Sequence, residues 1–507
     1  MAMCFLFDLP TVLQALLVCE FLQLADIAQL DSALCCKKLR PDFLALIGSP
    51  QCTFSEHVFQ SNPCEVRWVI RKNLKFKSIL LFANTITDDQ LRSKLFARLS
   101  GTALESITLS TFNDTDDDSI LEKDISKGVE HIVALLIASC PNIESFRIES
   151  ESEQTIIDDN LLANLVFHCK NLRILELQNC QCGGNVLLRA AYTAPCLESL
   201  VLTGCLVQDN VLNIPPTLTN QNICHFNCTR ICFLHGTTAS VISQVCGHFP
   251  NLKSLNATQI TNAGLVTISQ HCPLLQELTI CVSETIREGS ATDAACNWVH
   301  LRALAIHLTM EPDPSPDDEP DFVGEYSITE TAVLSFIRHC PQLTYFNTVC
   351  RTHTFAQRYR EDTAKNQVVS ELEGSQLREL YVESLTVGCF NQIDLLCTRL
   401  HLVAIYHEYL NQQEEERSDD LNARPLEMAL QYIGMSSVKV LHLHNFSDLG
   451  ESVRYLTGLH EIHFTNSSYG VLTNKDLSDL VSRCPDLTKL VVRNCLPLLD
   501  QCPALAH

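Results

Sequence analysis

A chain of 507 residues, 46% of them hydrophobic, is long enough to bury a large core and too apolar to remain disordered. Its formal net charge of -23 disfavours nucleic acid and anionic membranes as partners, because both repel an acidic surface. No run reaches the roughly 20 apolar residues that a membrane span needs. We therefore expect a folded protein that binds neither nucleic acid nor membrane.

The chain contains 26 cysteines, and the first basic residue after its apolar beginning is Lys37. A secretory signal would instead place a positive charge ahead of the apolar run. In a reducing compartment, free cysteine acts as a small buried apolar residue. We expect the protein to reside in the cytoplasm or the nucleus, with its thiols unpaired.

Residues 1–48 differ from the rest of the chain and predict a small all-α module. Two apolar stripes at helical spacing predict its helices: Leu13, Leu16, Leu17 and Phe21, then Ile27, Leu30 and Leu34. The order Leu9-Pro10, Leu13, Leu17, Phe21-Leu22, Asp26-Ile27, Leu30 and Leu34 resembles the F-box over about 40 residues.

This resemblance implies that the module docks on the S-phase-kinase-associated adaptor of a cullin-RING ubiquitin ligase. The implied contact residues are Leu9, Pro10, Leu13, Leu17, Leu22, Ile27, Leu30 and Leu34. A helical cap that shields the first repeat is the alternative, and one module can fill both roles. Residues 49–75 connect the module to the repeats, and Trp68 lies in a predicted helix that packs the two together.

Residues 76–507 repeat the pattern L-x-x-L-x-L, in which an apolar anchor precedes a short strand. The anchors recur about every 29 residues, and each strand is followed by apolar residues at helical spacing, as in Val133, Leu136, Ile137 and Cys140. The fifteen anchors are Phe76, Leu104, Ile143, Leu172, Leu197, Ile223, Leu252, Leu275, Leu301, Leu343, Leu377, Leu400, Val438, Leu459 and Leu487. The predicted helix N-caps are Thr87, Asp158, Thr261, Thr329 and Thr473.

Cysteine occupies two fixed slots in these repeats. One slot lies three residues before the anchor, at Cys140, Cys169, Cys272, Cys340, Cys397 and Cys484, and the other lies eight after it, at Cys180, Cys205 and Cys495. The spacing resembles the cysteine-containing leucine-rich repeats of F-box proteins and the ribonuclease-inhibitor-like fold. The resemblance implies an α/β solenoid, a horseshoe of about 15 repeats with parallel strands on the concave face and helices outside.

Strand side chains alternate, so the x positions of the pattern face the concave side, where we expect a protein partner to bind. The candidate residues are Glu176, Gln178, Thr279, Cys281, Tyr345, Asn347, Tyr381, Glu383, His442, His444 and His463. Four polar insertions predict loops, near residues 113–128, 311–327, 351–375 and 408–425.

We expect no catalytic residue, metal or cofactor in this chain. The segment from Asp114 to Asp118 begins like an EF-hand loop, but Ser119 and Ile125 stand where the motif needs Gly and Glu. A group of possible zinc ligands lacks the paired spacing of zinc sites: Cys224, His225, Cys228, Cys232 and His235. Phosphate-binding and nucleophile-elbow motifs are absent from the sequence.

The sequence therefore predicts a substrate-recognition subunit of an SCF-type cullin-RING ubiquitin ligase, whose repeats bind an unknown protein substrate. Two alternatives stay open. One is a leucine-rich-repeat scaffold or inhibitor with no ligase role, and the other is a small-molecule receptor whose insertions fold over a concave pocket. Exposure of the N-terminal apolar face distinguishes the ligase subunit from the scaffold or inhibitor, because a docking face must remain available.

Overall fold

The computed structural model describes helices and strands along most of the chain. The described residues are 9–22, 24–34, 39–49, 51–59, 63–82, 89–99, 104–111, 122–150, 155–182, 191–192, 194–207, 219–229, 231–233, 238–308, 328–348, 375–383, 392–393, 396–397, 399–406, 438–444, 454–465 and 474–493. They belong to two compact units, Met1–Gln244 and Val245–His507.

Within its described residues, the first unit begins with helices α1 (Thr11–Phe21), α2 (Leu24–Ala33) and α3 (Arg40–Ile47). We call them the helical module. Helix α1 follows Pro10, and Pro41 lies in the first turn of α3, where the missing N–H of proline costs no helical hydrogen bond. The buried apolar side chains of the module include Ala15, Val18, Ile27, Leu34, Phe43, Leu46 and Ile47.

The rest of the first unit alternates strands and helices. Its main sheet is entirely parallel and has the order β1 (Thr53–Phe59), β2 (Lys75–Phe82), β3 (Ser106–Ser110), β4 (Ser145–Glu149), β6 (Ile174–Gln178), β8 (Ser199–Thr203) and β10 (His225–Cys228). The described helices between these strands include α4 (Pro63–Lys72), α5 (Asp89–Leu99), α6 (Glu122–Ser139) and α7 (Asp159–His168), and α8 (Thr238–Cys246) follows later in the chain. Parallel neighbours require such crossover connections, so the topology follows from the alternation.

A second, smaller parallel sheet lies in the first unit. Its strands follow successive strands of the main sheet and are β5 (Thr155–Ile157), β7 (Cys180–Cys182), β9 (Leu206–Val207) and β11 (Cys232–Phe233). This sheet was not predicted from the sequence, because strands of two or three residues are too short to show an alternating pattern.

The second unit has a parallel main sheet of the same kind. Its strands, in order, are β12 (Ser254–Ile260), β13 (Glu277–Val282), β14 (Ala303–Leu308), β15 (Tyr345–Thr348), β16 (Glu379–Glu383), β17 (Leu402–Tyr406), β18 (Val440–His444), β19 (Glu461–Thr465) and β20 (Lys489–Arg493). Its helices include α9 (Asn262–His271), α10 (Glu288–Asn297), α11 (Glu330–His339) and α12 (Asn474–Arg483).

Each predicted anchor lies at or just before a strand of a main sheet. Fourteen of the fifteen anchors are buried, and Leu487 beside the last described strand is half-buried. Burying these side chains in every repeat supplies the apolar driving force that holds successive strands together. The protein is thus a mixed α/β protein with long parallel sheets, while the horseshoe curvature and the number of repeats stay predictions.

The connecting segment 49–75 departs from the prediction of a helix or linker. Helix α4 forms around Trp68, but Thr53–Phe59 is a strand that pairs in register with β2, Phe54 opposite Phe76. The sheet therefore begins before residue 76. Phe54 and Phe59 are buried, but the segment lacks the leucine pattern by which the other repeats were recognised.

Local hydrogen bonds support the predicted helix starts where the structure describes them. The side chains of Asp158, Thr261 and Thr329 accept from the backbone N–H groups of Asn160, Gly264 and Ala332 at 2.9, 3.1 and 3.2 Å. These three N-cap predictions are confirmed. The other two, Thr87 and Thr473, lie outside the described residues.

The cysteine slots have a clear packing role. The thiols of Cys169, Cys272 and Cys484 lie 3.6 to 3.9 Å from backbone carbonyl oxygens of the preceding repeat, those of Cys140, Cys246 and Leu456. All of the predicted slot cysteines that the structure describes are buried. Cys495 lies outside the described residues.

The predicted first insertion, 113–128, is partly wrong because α6 begins at Glu122. Polar residues there suggested a loop, yet the N-terminal turns of a surface helix are also polar, and Lys127 is exposed. The other three predicted loops fall on residues that the structure does not describe, namely 311–327, 351–374 and 408–425. Ser375, the last residue of the third predicted loop, is described. In the part of the chain that the structure covers, no helix combines the length and the apolar composition needed to cross a membrane.

Candidate binding surfaces

Helix α1 presents an exposed apolar stripe formed by Val12, Leu13, Leu16 and Leu17. Their exposed fractions are 64, 47, 52 and 36%. These residues share one side of the helix because positions three and four apart lie on the same face. Exposing several neighbouring apolar side chains to water is unfavourable, so such a stripe marks a surface that a partner can cover.

The opposite side of α1 is buried. Ala15 and Val18 are 2% and 1% exposed, and α1 packs against strand β1 and helix α3. The Sγ atoms of Cys19 on α1 and Cys52, just before β1, lie 3.1 Å apart. The helix therefore covers the first strand with one face and leaves the other face exposed.

The remaining residues of the predicted adaptor contact are divided between surface and core. Pro10, Leu13 and Leu17 are exposed, and Leu9, Leu22 and Leu30 are half-buried. Ile27 and Leu34 are buried at 0% and 5% exposure, so for these two the prediction of a surface contact is wrong. Both belong to the helical stripe that forms the core of the module, and sequence periodicity does not distinguish a core face from a docking face.

A buried carboxylate links the module to the first repeat. Asp31 on α2 lies 2.9 Å from Arg40 Nε on α3 and 2.8 Å from Lys72 Nζ on α4. The hydrogen bond from Arg40 is the main cause that lowers the pKa of Asp31 from 3.8 to about 2, and Lys72 adds to it. This network holds the helices that support α1.

Each main sheet has one face buried against the core and one that carries the polar strand residues, here called the open face. In the first unit, Glu176 and Gln178 lie on the open face of β6, beside Arg147 and Glu149 of β4. Arg147 contacts Glu176 at 2.6 Å, and Gln178 Nε2 donates to the same carboxylate at 2.6 Å. Glu176 is 8% exposed, so this candidate is already engaged in intramolecular contacts.

In the second unit, the strand register aligns several candidates in one row. Thr279, Ala305, Asn347, Tyr381, Ala404, His442 and His463 are successive register partners. Tyr345, Cys281 and His444 lie on the same open face in the flanking rows. The side chain of the remaining candidate, Glu383 at the end of β16, lies outside the described part of the chain. The Tyr345 and Tyr381 ring centroids are 5.4 Å apart, and Asn347 Nδ2 donates to the Tyr345 hydroxyl at 3.1 Å. Aromatic and amide groups in such a row suit binding of a polypeptide.

The predicted histidine candidates are brought together at one end of this row. The rings of His442 and His463 stack with centroids 4.1 Å apart, and His444 lies 6.2 Å from His442. Burial is the main cause that lowers the pKa of His442, to about 4, and the neighbouring His463 and His444 lower it further. Burial also lowers the pKa of His444.

Glu461, which was not predicted from the sequence, completes this group. Its carboxylate lies 2.5 Å from His463 Nε2 and also contacts Lys489. The ion pair with Lys489 is the main cause that lowers the pKa of Glu461. The available signal was the sequence Glu461-Ile-His463, because residues two apart on a strand share a face.

Among the zinc ligands considered from the sequence, the structure describes the side chains of Cys224, His225 and Cys228 and does not gather them at one place. His225 is exposed and Cys228 is buried, so the two lie on opposite faces of β10. Cys224 Sγ lies 3.6 Å from the Glu198 carbonyl oxygen instead. His235 and the EF-hand-like segment from Asp114 lie outside the described residues.

No known protein family matches the chain, and no curated protein matches it in sequence. Among solved structures it is similar to a chain of the yeast complex of Rad7 and Elc1, with 14% identity over 80% of this chain and 87% of that chain. The TM-score is 0.29. At that level the likeness has no bearing on function, which must be argued from the exposed stripe and the open faces.

Proposed function

We propose that this chain is the substrate-recognition subunit of an SCF-type cullin-RING ubiquitin ligase. The helical module binds the S-phase-kinase-associated adaptor, and the open faces of the repeats bind a protein substrate. The chain itself performs no catalysis in this proposal. The observation that carries it is the apolar stripe of α1, which stays exposed although the module has a buried core of its own.

The two faces of α1 make the docking role physically reasonable. The buried face fixes the helix on β1, so the exposed leucines are held in place before a partner arrives. A helix fixed in advance loses less conformational entropy on binding than a mobile one. Burial of its leucines in an apolar groove then contributes roughly 25 cal/mol for each Å2 removed from water.

A scaffold or inhibitor with no ligase role is the second candidate function. It is favoured by the same packing of α1 on β1, since a cap needs only the buried face. A cap, however, gives no reason for four exposed aliphatic side chains on its outer side. The two functions therefore differ in what they predict for substitutions of the stripe.

The test is adaptor binding by the purified full-length protein and by the double variant Leu13→Asp, Leu17→Asp, measured by calorimetry. We expect the intact protein to bind and the variant to bind at least about 100-fold more weakly, because two central apolar contacts are replaced by desolvated charges. Phe167→Asp is the matched control, since Phe167 on α7 is a 73% exposed apolar residue outside the module.

Circular dichroism and the thermal midpoint establish that each variant is folded. If a folded double variant binds as tightly as the Phe167→Asp control, α1 is not the docking helix. If the intact protein does not bind the adaptor at all, the ligase proposal is overturned in favour of the capped scaffold.

A further inference from the structure

Two neighbouring strands near the end of the second unit place three potential metal ligands together. Strand β18 contains His442-Leu-His444, and strand β19 contains Glu461-Ile-His463. The leucine and isoleucine between them are buried, so the histidines and the glutamate share the open face. Strands β18 and β19 are adjacent and parallel, and their register places His442 opposite His463.

The donor atoms of His442, Glu461 and His463 lie close enough to reach one ion. One ligand atom from each of them lies within 4.8 Å of the other two. Ligand atoms in a tetrahedral zinc site stand roughly 3.4 Å apart, given bonds of about 2.0 to 2.1 Å. These side chains are half-buried, and rotating them, which also opens the 2.5 Å contact between Glu461 and His463, brings the donor atoms to that spacing.

We propose that His442, Glu461 and His463 form a binding site for a divalent transition-metal ion of the Zn2+ class. Two imidazoles and one carboxylate are a donor set of zinc sites that keep one coordination position open. The three side chains lie on the open face, the side where the proposed function places the substrate. The site does not depend on adaptor binding, so either proposal can fail alone.

The chemistry of the three side chains suits a metal cation. Each imidazole ring offers a nitrogen lone pair, and the Glu461 carboxylate supplies the negative charge that a cation site needs. His463 Nε2 lies 2.5 Å from the Glu461 carboxylate, so both groups already point to the same place on the open face.

Lys489 is the competitor at this site. Its ammonium contacts the Glu461 carboxylate, and its side chain is 55% exposed, so it can swing into water when a metal ion arrives. The other groups on the neighbouring strands are uncharged in this row, Ala404 on β17 and Val491 on β20. Removing the lysine charge should therefore strengthen metal binding.

The experiment is a calorimetric titration of the reduced full-length protein with Zn2+, repeated for His442→Ala, His463→Ala and the control His460→Ala. His460 is an exposed histidine beside Glu461 in sequence, and its removal leaves the three donors intact. We expect both cluster variants to weaken one binding event by about 100-fold and the control to leave it unchanged. The cysteines are the same in all four proteins, so their zinc binding cancels in the comparison.

Co2+ in place of Zn2+ identifies the ligands, since thiolate ligation adds intense near-ultraviolet absorption and a nitrogen–oxygen site gives visible bands alone. The variant Lys489→Met should bind about ten-fold more tightly, a gain that unfolding cannot produce. Equal affinities for the intact protein, both alanine variants and Lys489→Met would overturn the proposal. So would a cobalt spectrum of thiolate type that the alanine variants leave unaltered.

Discussion

At the residue scale, the turns that end the main-sheet strands of the first unit impose the strictest local requirements. Asn179 adopts a φ of 51°, and Gly204, one repeat later, adopts a φ of 63°. Asn179 Nδ2 donates to the Ser150 carbonyl at 3.0 Å, which stabilises its own unusual backbone. The turn of one repeat is therefore hydrogen-bonded to the turn of the preceding repeat.

Gly204→Ala should destabilise the protein by about 1 to 3 kcal/mol. The added Cβ would lie 2.1 Å from Asn179 Oδ1, in a backbone conformation that alanine rarely adopts. Urea unfolding compares it with Gly289→Ala, where a Cβ meets nothing within 4 Å and the residue lies in helix α10. That control should be neutral or stabilising by up to about 1 kcal/mol. Equal unfolding midpoints for the two variants would contradict the prediction.

At the scale of elements, the helices of the module depend on an ionic contact as well as on apolar packing. Asp31 joins α2, α3 and α4 through Arg40 and Lys72, and its side chain is 6% exposed. Because its folded pKa of about 2 lies below its unfolded value, its stabilising effect is present above about pH 4. That effect is lost as the pH falls from about 4 to about 2.

Asp31→Asn should therefore reduce the free energy of unfolding by about 2 to 3 kcal/mol at pH 7, since a pKa shift of nearly two units corresponds to about that amount. The variant should also lose the part of the acid sensitivity that falls between about pH 4 and pH 2. Denaturant titrations at several pH values measure both effects. Asp42→Asn, an exposed carboxylate on α3, is the control and should change stability by less than about 1 kcal/mol. A wild-type pH profile for Asp31→Asn would show that the contact has no energetic weight.

The element scale also explains how one helix can serve two roles. Helix α1 buries Ala15 and Val18 against β1 and exposes Leu13 and Leu17. The sequence contains both sets in a single apolar run, which predicts a helix but not the direction of its faces. The orientation is decided by what packs beside it.

At the scale of the whole molecule, the cysteines act as packing residues in successive repeats. Burial raises the pKa of Cys140 to about 12, of Cys169 to about 11 and of Cys340 to about 12. Thiolates are the reactive form, so raised pKa values make these thiols inert as well as inaccessible. Cys64, Cys196 and Cys296 are exposed.

Iodoacetamide should thus modify Cys64, Cys196 and Cys296 of the folded protein at least about 100-fold faster than Cys140, Cys169 and Cys340. Peptide mass spectrometry after timed alkylation gives the rate at each residue. Unfolding in denaturant should remove the difference, which serves as the internal control. Rapid labelling of the three slot cysteines without denaturant would mean that the repeats are not packed as described.

The sequence by itself determined the strand–helix repeat, its anchors and its cysteine slots. These features are periodic, and each anchor is an apolar side chain that must be buried whatever lies beside it, as with Leu172 and Leu301. It also indicated the helix starts at Asp158, Thr261 and Thr329, because an N-cap is a local hydrogen bond within one segment.

Only the tertiary structure decided which apolar residues are covered and which polar residues meet. Strand β1 is identified by its pairing with β2. Ile27 belongs to the core of the helical module, whereas Leu13 is exposed. Glu461 joined His442 and His463 because the register of two strands from successive repeats brings them side by side. Such contacts depend on register and packing between segments distant in sequence, which no local pattern encodes.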